Sequence, residues 1–134
     1  MERTFAIIKP DAITSKHAGQ IINIIELNGF NILGLQKKQL TRQEAETFYA
    51  VHKERPFFGE LVNYMISGPV IVMALEKENA IQEWRDLMGA TNPAKAAPGT
   101  LRRMFGTSIG SNATHGSDAP ETAKEELKFF FPNL

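Results

Sequence analysis

Pro69-Val-Ile-Val-Met-Ala-Leu75 is a nearly continuous apolar run. A strand with one wet face alternates apolar and polar residues; an unbroken run of this length reads as a central strand covered on both faces. Such a strand needs pairing neighbours and helical cover, and the flanking sequence contains candidates for both. Toward the N-terminus, Thr4–Lys9 is a second β-rich run (Phe5, Ile7, Ile8) that stops at the turn signal Pro10-Asp11. It is expected to form a buried strand with Lys9 at its C-terminal end. Between the two, Ala18, Ile21, Ile22 and Ile25 follow helical spacing, so residues 15–28 are predicted to form an amphipathic helix closed by Gly29. Residues 30–40 read as another strand.

Thr41-x-x-Glu44 is a capping box that opens a helix through Ala45, Phe48 and Tyr49. Pro56 breaks it, and Phe58, Leu61, Val62 and Met65 form a further short helical stripe. Beyond the central run, Ile81, Trp84 and Met88 mark a helix ended by Gly89. Periodicity then fades from Ala90 to Ser111, which predicts a long loop; loops of that length in compact domains are usually functional. This one carries Arg102 and Arg103. Asp118-x-x-Glu121, with Pro120 in the first turn, starts a last helix whose core face is Ala123, Leu127 and Phe130. A final, weakly marked strand is expected near His115. This order predicts one domain over residues 1–134, an α+β ferredoxin-like βαββαβ sandwich with helices packed on an antiparallel four-stranded sheet.

Composition narrows the chemistry. Lys+Arg and Asp+Glu are both 15, a formal charge of zero, which argues against a nucleic-acid binder built on many phosphate contacts. A small anion held by a few local cations stays open. The chain has no cysteine, which excludes disulfides, thiolate metal sites and a cysteine nucleophile. The N-terminal residues lack an apolar leader, and no apolar segment approaches the roughly 20 residues that span a bilayer. The expectation is a soluble cytoplasmic protein without a membrane partner.

The residues richest in chemistry are Asn112-Ala-Thr-His-Gly-Ser-Asp118. Imidazole, with an ordinary pKa of about 6.5, is largely neutral and nucleophilic at neutral pH. Gly116 adds no Cβ beside it, so the backbone is free to bend and a bulky ligand to come close. Taken alone the run also reads as a histidine in a polar turn. Glu126 lies along the border of the last helix's apolar stripe; it is either a snorkelling carboxylate at a core edge or a group that orients an imidazole. Arg85 and Arg102 read by themselves as solvated charges, and Phe57 and Phe58 as core aromatics. Lys9, at the end of a buried strand, must aim somewhere polar. His17 and His52 lack metal-ligand spacing and are expected at the surface. Gly29–Gly34 has the glycine spacing of a P-loop but not the Lys-Ser/Thr that follows one, and there is no G-x-G-x-x-G and no RNA-binding octapeptide.

Taken together, the blocks Ile8-Lys9-Pro10-Asp11, Arg55-Pro56-Phe57-Phe58, Ser67-Gly68-Pro69, Gly89-Ala-Thr91-Asn92-Pro93, Pro98-Gly99-Thr100 and Asn112-Ala-Thr-His115-Gly116-Ser117-Asp118 stand in the order found in one family. Over essentially its whole length the chain resembles nucleoside diphosphate kinases, and the last block is highly specific to them. The resemblance implies transfer of a γ-phosphoryl group from a nucleoside triphosphate to a nucleoside diphosphate. It implies His115 as the nucleophile, phosphorylated on the ring nitrogen nearer Cβ, with Glu126 fixing the ring from its other side. By the same resemblance Tyr49 and Ser117 stand next to the histidine, Lys9 and Asn112 hold sugar hydroxyls and nearby phosphate oxygens, and Arg85, Thr91 and Arg102 hold phosphates. Phe57 stacks on the base, with Ile109 over its other side.

These roles make physical sense. A phosphoryl group in transfer carries its charge on three equatorial oxygens, so catalysis is mostly positioning and electrostatics, and arginine forks suit phosphate oxygens. Mg2+, the implied cofactor, keeps its waters and is held mainly by the nucleotide's phosphates rather than by protein ligands. A base that is stacked but not read at its edge is accepted whatever its identity. Ping-pong kinetics follow from the covalent intermediate. The implied partners are ATP, other nucleoside triphosphates and diphosphates, and further copies of the chain in a tetramer or hexamer.

Two departures stand out. Arg103-Met104 occupies positions where members often have a small and then an acidic residue, and the chain ends at Leu134, resembling the shorter bacterial members. Two other readings remain: a catalytically silent nucleotide- or nucleic-acid-binding module on the same fold, and an oligomeric scaffold. Intact His115 and Glu126 argue against the silent version, zero net charge against the nucleic-acid version, and the full set of polar residues makes a scaffold secondary.

Overall fold

The computed structural model describes residues 1–134. It contains strands β1 (Glu2–Ile8), β2 (Asn31–Lys38), β3 (Val70–Lys77) and β4 (Thr114–Gly116), with helices α1 (Pro10–Thr14), α2 (Ala18–Leu27), α3 (Arg42–Phe48), α4 (Phe58–Met65), α5 (Ala80–Met88), α6 (Leu101–Phe105) and α7 (Pro120–Phe130) between and after them. The sheet is antiparallel throughout, in the order β2-β3-β1-β4. This is the expected α+β ferredoxin-like arrangement.

β3 is central, as its unbroken apolar run predicts. It pairs with β1 from Ile71 opposite Ile8 to Lys77 opposite Glu2, and on its other side with β2. Side chains that alternate along a strand point to opposite faces, and both faces here are dry. Ile71, Met73 and Leu75 join Ile21, Ile25 and Trp84 on one face; Val70, Val72 and Ala74 join Tyr49, Val62 and Leu127 on the other. No helix is long and apolar enough to cross a membrane.

The ends of the elements follow local chemistry. Thr41 accepts the Glu44 N–H while the Glu44 carboxylate accepts the Thr41 N–H, closing the capping box. Gly89 ends α5 at a φ of +84°, a conformation that glycine adopts freely.

Three expectations are corrected. The helix predicted over residues 15–28 is α2, Ala18–Leu27, and what reads as a turn at Pro10-Asp11 is a further short helix: α1 begins at Pro10, whose fixed φ suits a first helical turn, and the chain bends at Lys16, with φ +67°, before α2. Residues 90–111 are not a structureless loop. They hold a 3-10 turn at Pro93–Lys95 and the one-and-a-half-turn α6, with Leu101 buried; five residues are too few to display a period. The last helix is capped differently, since Thr122 Oγ1 accepts the N–H groups of Asp118 and Ala119 and Ala119 is the residue before the first turn.

Candidate active site

Beside the outer edge of β1, where β4 pairs Ala6–Ile8 with Thr114–Gly116, a cleft of about 890 Å³ opens. Its floor is β4 with His115. Lys9 reaches it from the end of β1, Arg85 from α5 and Arg102 from α6; Thr91 and Asn112 come from the connections that follow α5 and precede β4, and Phe57 and Ile109 stand at its mouth, both about half exposed. Three cations stand around the histidine against two carboxylates, Asp86 and Asp118, so the cleft keeps an excess of positive charge in a chain of zero net charge.

Lys9 is almost wholly buried. Its Nζ donates to Asn112 Oδ1 at 2.8 Å, and Asn112 Nδ2 donates to the Thr91 carbonyl at 3.0 Å. Burial, reinforced by the Arg102 charge and opposed by Asp11, lowers the Lys9 pKa to about 8. Arg102 donates to the carbonyls of Gly89 at 3.1 Å and Thr114 at 3.0 Å, so it ties the end of α5 to β4. Its guanidinium is lowered first by desolvation and then by Arg85. A pair of like charges facing one cleft is costly without an anion between them. Arg85 is the more exposed of the two and pairs with Asp118 at 3.3 Å, a surface contact of small energy.

The histidine itself is held from behind. His115 Nε2 is buried and lies 3.5 Å from Glu126 Oε2, a charge contact longer than a good hydrogen bond. Ser117 Oγ donates to the other carboxylate oxygen of Glu126 at 2.6 Å. Aromatic edges surround the ring: Phe48 at 5.4 Å, Tyr49 at 6.2 Å and Phe5 at 6.4 Å between centroids. The Tyr49 hydroxyl is buried, and its pKa is raised by burial and then by the Glu126 charge, so it stays a neutral phenol. Glu126 therefore resolves toward the histidine rather than toward solvent.

Immediately before the histidine the backbone is strained. Thr114 N–H donates back to the Asn112 carbonyl at 2.9 Å across Ala113, whose φ is +74°. This is a γ-turn of the positive-φ kind, rare for a residue with a side chain and costing about 1–3 kcal/mol.

The neighbourhood corrects three readings. Gly116 leaves room not for a ligand but for Trp84: a Cβ there would sit 2.4 Å from the indole Cδ1. The same indole donates to the His115 carbonyl at 3.3 Å. His52 is half-buried in the cleft, between the rings of Tyr49 and Phe57; its position three residues after Tyr49, on the same helical side, is the signal that points there. His17 is half-buried against Phe105 at 4.8 Å between centroids. Asp118 was readable only as a helix start, yet it lines the cleft as the partner of Arg85. Arg103 donates to the Ala94 carbonyl at 3.2 Å, linking α6 to the 3-10 turn, and it does not line the cleft.

Comparison with known proteins agrees with this geometry. The family model for nucleoside diphosphate kinase matches residues 2–134. A nucleoside diphosphate kinase from Pelobacter propionicus is 61% identical over 134 residues, covering 100% of this chain and 98% of that protein. One from Desulfotalea psychrophila has the same identity and coverage. Among solved structures, the Aquifex aeolicus nucleoside diphosphate kinase superposes with a TM-score of 0.95 at 45% identity, covering 97% of this chain and 94% of that one. The Halobacterium salinarum nucleoside diphosphate kinase in complex with CDP does so at 0.95 and 37% identity, covering 98% and 88%. With a histidine backed by a carboxylate, a cationic cleft around it and agreement over the full length of relatives and structures, this chain belongs to the nucleoside diphosphate kinase family.

Proposed function

We propose that His115 is the phosphoryl carrier of this phosphotransferase. The reaction of the family moves the γ-phosphoryl group of a nucleoside triphosphate to a nucleoside diphosphate in two halves, through a phosphohistidine, with broad tolerance of base and sugar. The observation that carries the assignment is the pairing of a buried Nε2 with Glu126, braced by Ser117, on the floor of a cation-lined cleft. The Glu126 carboxylate, 3.5 Å from Nε2, favours a proton on that nitrogen, which leaves the lone pair on Nδ1 for the phosphorus.

In the first half-reaction Nδ1 forms a bond to the γ-phosphorus while the bond to the bridging oxygen breaks, and the nucleoside diphosphate leaves with that electron pair. The positive charge gained by the imidazole is met by Glu126. In the second half an incoming diphosphate oxygen takes the phosphoryl group and returns the ring to neutrality. Arg85, Arg102 and Thr91 bind the phosphate oxygens in this reading, and Lys9 and Asn112 the sugar hydroxyls and adjacent oxygens. Phe57 stacks on the base with Ile109 opposite; neither carries a group that reads a base edge, which supports the broad tolerance.

The family needs a divalent cation. The cleft offers no cluster of three histidine or carboxylate ligands, and its cationic lining fits a phosphate-borne ion, Mg2+ in our reading, whose contribution is to neutralise phosphate charge. The open edge of β2, with Leu33 and Leu35 partly exposed, supports assembly into the family's tetramer or hexamer. We read the chain as one catalytic domain working in the cytoplasm.

The test is incubation with γ-labelled ATP and Mg2+ in the absence of acceptor. Label that resists base, is lost in acid, is discharged by GDP and is missing from His115→Ala establishes the carrier. Wild-type protein that folds and takes no label rejects it.

A further inference from the structure

The strained turn at Ala113 stands one residue after Asn112 and two before His115, and its backbone is gripped from both sides. The Ala113 carbonyl accepts the Lys9 N–H at 2.8 Å. Its N–H donates at 3.1 Å to Oδ2 of Asp11, in the first turn of α1. Asp11 is itself held by Tyr64, from the far end of α4. The Tyr64 hydroxyl donates to Asp11 Oδ1 and accepts the Asp11 N–H at 3.1 Å. Burial and the neighbouring carboxylate raise the Tyr64 pKa, so the phenol remains a donor throughout the neutral range. Neither side chain lines the main cleft.

We propose that Asp11, held by Tyr64, is a positioning residue for phosphoryl transfer, whose carboxylate keeps the positive-φ turn at Ala113 and thereby the placement of His115. This rests on His115 being the carrier. A non-glycine residue keeps a positive-φ turn only when its surroundings overdetermine it. Without the carboxylate the Ala113 N–H is left buried and unpaired, and the turn relaxes toward an ordinary conformation. The chain entering β4 then shifts, and a displacement of about 1 Å at a reacting atom costs about 100-fold in rate. Nucleotide binding is spread over Lys9, Thr91 and Asn112 as well as Arg85, Arg102, Phe57 and Ile109, of which only Lys9 and Asn112 adjoin the turn, so affinity falls less than the rate.

The experiment measures single-turnover phosphorylation of His115 by ATP with Mg2+, together with ADP affinity, in the full chain. Asp11→Ala is expected to slow phosphorylation about 10- to 100-fold and to change ADP affinity less than about 3-fold. Asp11→Asn, which retains a carbonyl acceptor for Ala113 N–H, recovers most of the rate. Tyr64→Phe shows a smaller loss of the same kind. In the Asp11→Ala background, Ala113→Gly recovers part of the rate because glycine adopts the turn without strain. An unchanged rate in Asp11→Ala, or a rate that falls only in step with ADP affinity and is not restored by Asp11→Asn, overturns the proposal. Should Asp11→Ala fail to fold, Tyr64→Phe against wild type decides the same question: a rate loss larger than the loss of ADP affinity supports the proposal, and an unchanged rate overturns it. Wild-type protein that takes no label on His115 overturns instead the carrier assignment beneath it, so the two failures are distinguishable.

Discussion

β3 and the segment 112–117 are buried to a similar degree and are built in opposite ways. From Val70 to Leu75 every residue of β3 is buried and apolar, and the strand is paired on both sides. In the other segment Asn112, Thr114 and Ser117 are also buried, yet they are polar; the strand is three residues long, paired on one side and entered through a strained turn. β3 is held by the removal of apolar surface from water, which requires no particular partner atom. The histidine segment is held by a hydrogen bond donated by Lys9 and by others accepted by Thr91, Asp11 and Glu126, each specific in direction. Burial alone therefore does not separate core from site. What separates them is whether the buried groups are satisfied by packing or by distant polar residues.

If that distinction is right, substitutions in the two regions fail differently. Met73→Ala, at the centre of β3, is expected to lower unfolding free energy by about 2–5 kcal/mol in urea titrations, while the phosphorylation rate of the folded fraction stays near wild type. A rate loss that exceeds the stability loss would put β3 within the site and dissolve the comparison.

Lys9 sharpens it through pH. Its pKa is about 8 in the folded chain and ordinarily near 10.4. Between these values the unfolded chain binds more protons, so the contribution of Lys9 is least favourable below pH 8 and improves as pH rises toward 10. Unfolding of the nucleotide-free protein at pH 7.5 and 9.5 should show a relative gain of about 2 kcal/mol from this residue, absent in Lys9→Met. Phosphate binding restores the charged form, so ADP binding at pH 9 should take up protons, seen as a dependence of calorimetric heat on buffer ionisation enthalpy.

Ser117→Ala removes one bond to the Glu126 carboxylate. The expected result is a loss of about 10-fold in phosphorylation rate, in line with a hydrogen bond to a charged group of about 1.5 kcal/mol, with ADP affinity retained. Equal losses in rate and affinity would mean that Ser117 acts on the nucleotide rather than through Glu126. The smallest effect belongs to a position outside both regions: Thr41→Ala should cost about 1 kcal/mol of stability and leave the rate unchanged, by the same two assays.

Much of this was legible in the sequence. The unbroken run at 70–75, the helical stripes around Ile21, Val62 and Trp84, and the capping box at Thr41 are local patterns, and local patterns are set by residues within a few positions of one another. The motif blocks likewise marked His115, Lys9, Thr91 and Asn112, the family resemblance they carry added Arg85 and Arg102, and the structure gathers all six around one cleft. Glu126 was readable as a carboxylate on the border of an apolar stripe, though not which way it turned.

Other features depended on partners far away in the chain. That Gly116 makes room for Trp84, that Arg102 spends two donors on Gly89 and Thr114, and that Asp11 and Tyr64 grip Ala113 are meetings of residues 12 to 102 positions apart. A side chain's type and spacing carry its periodicity and its chemistry, and these determined the strands, the helices and the candidate nucleophile. The direction in which a buried hydrogen bond points depends on what the packed sheet brings beside it, and so only the tertiary structure decided how the histidine is aimed.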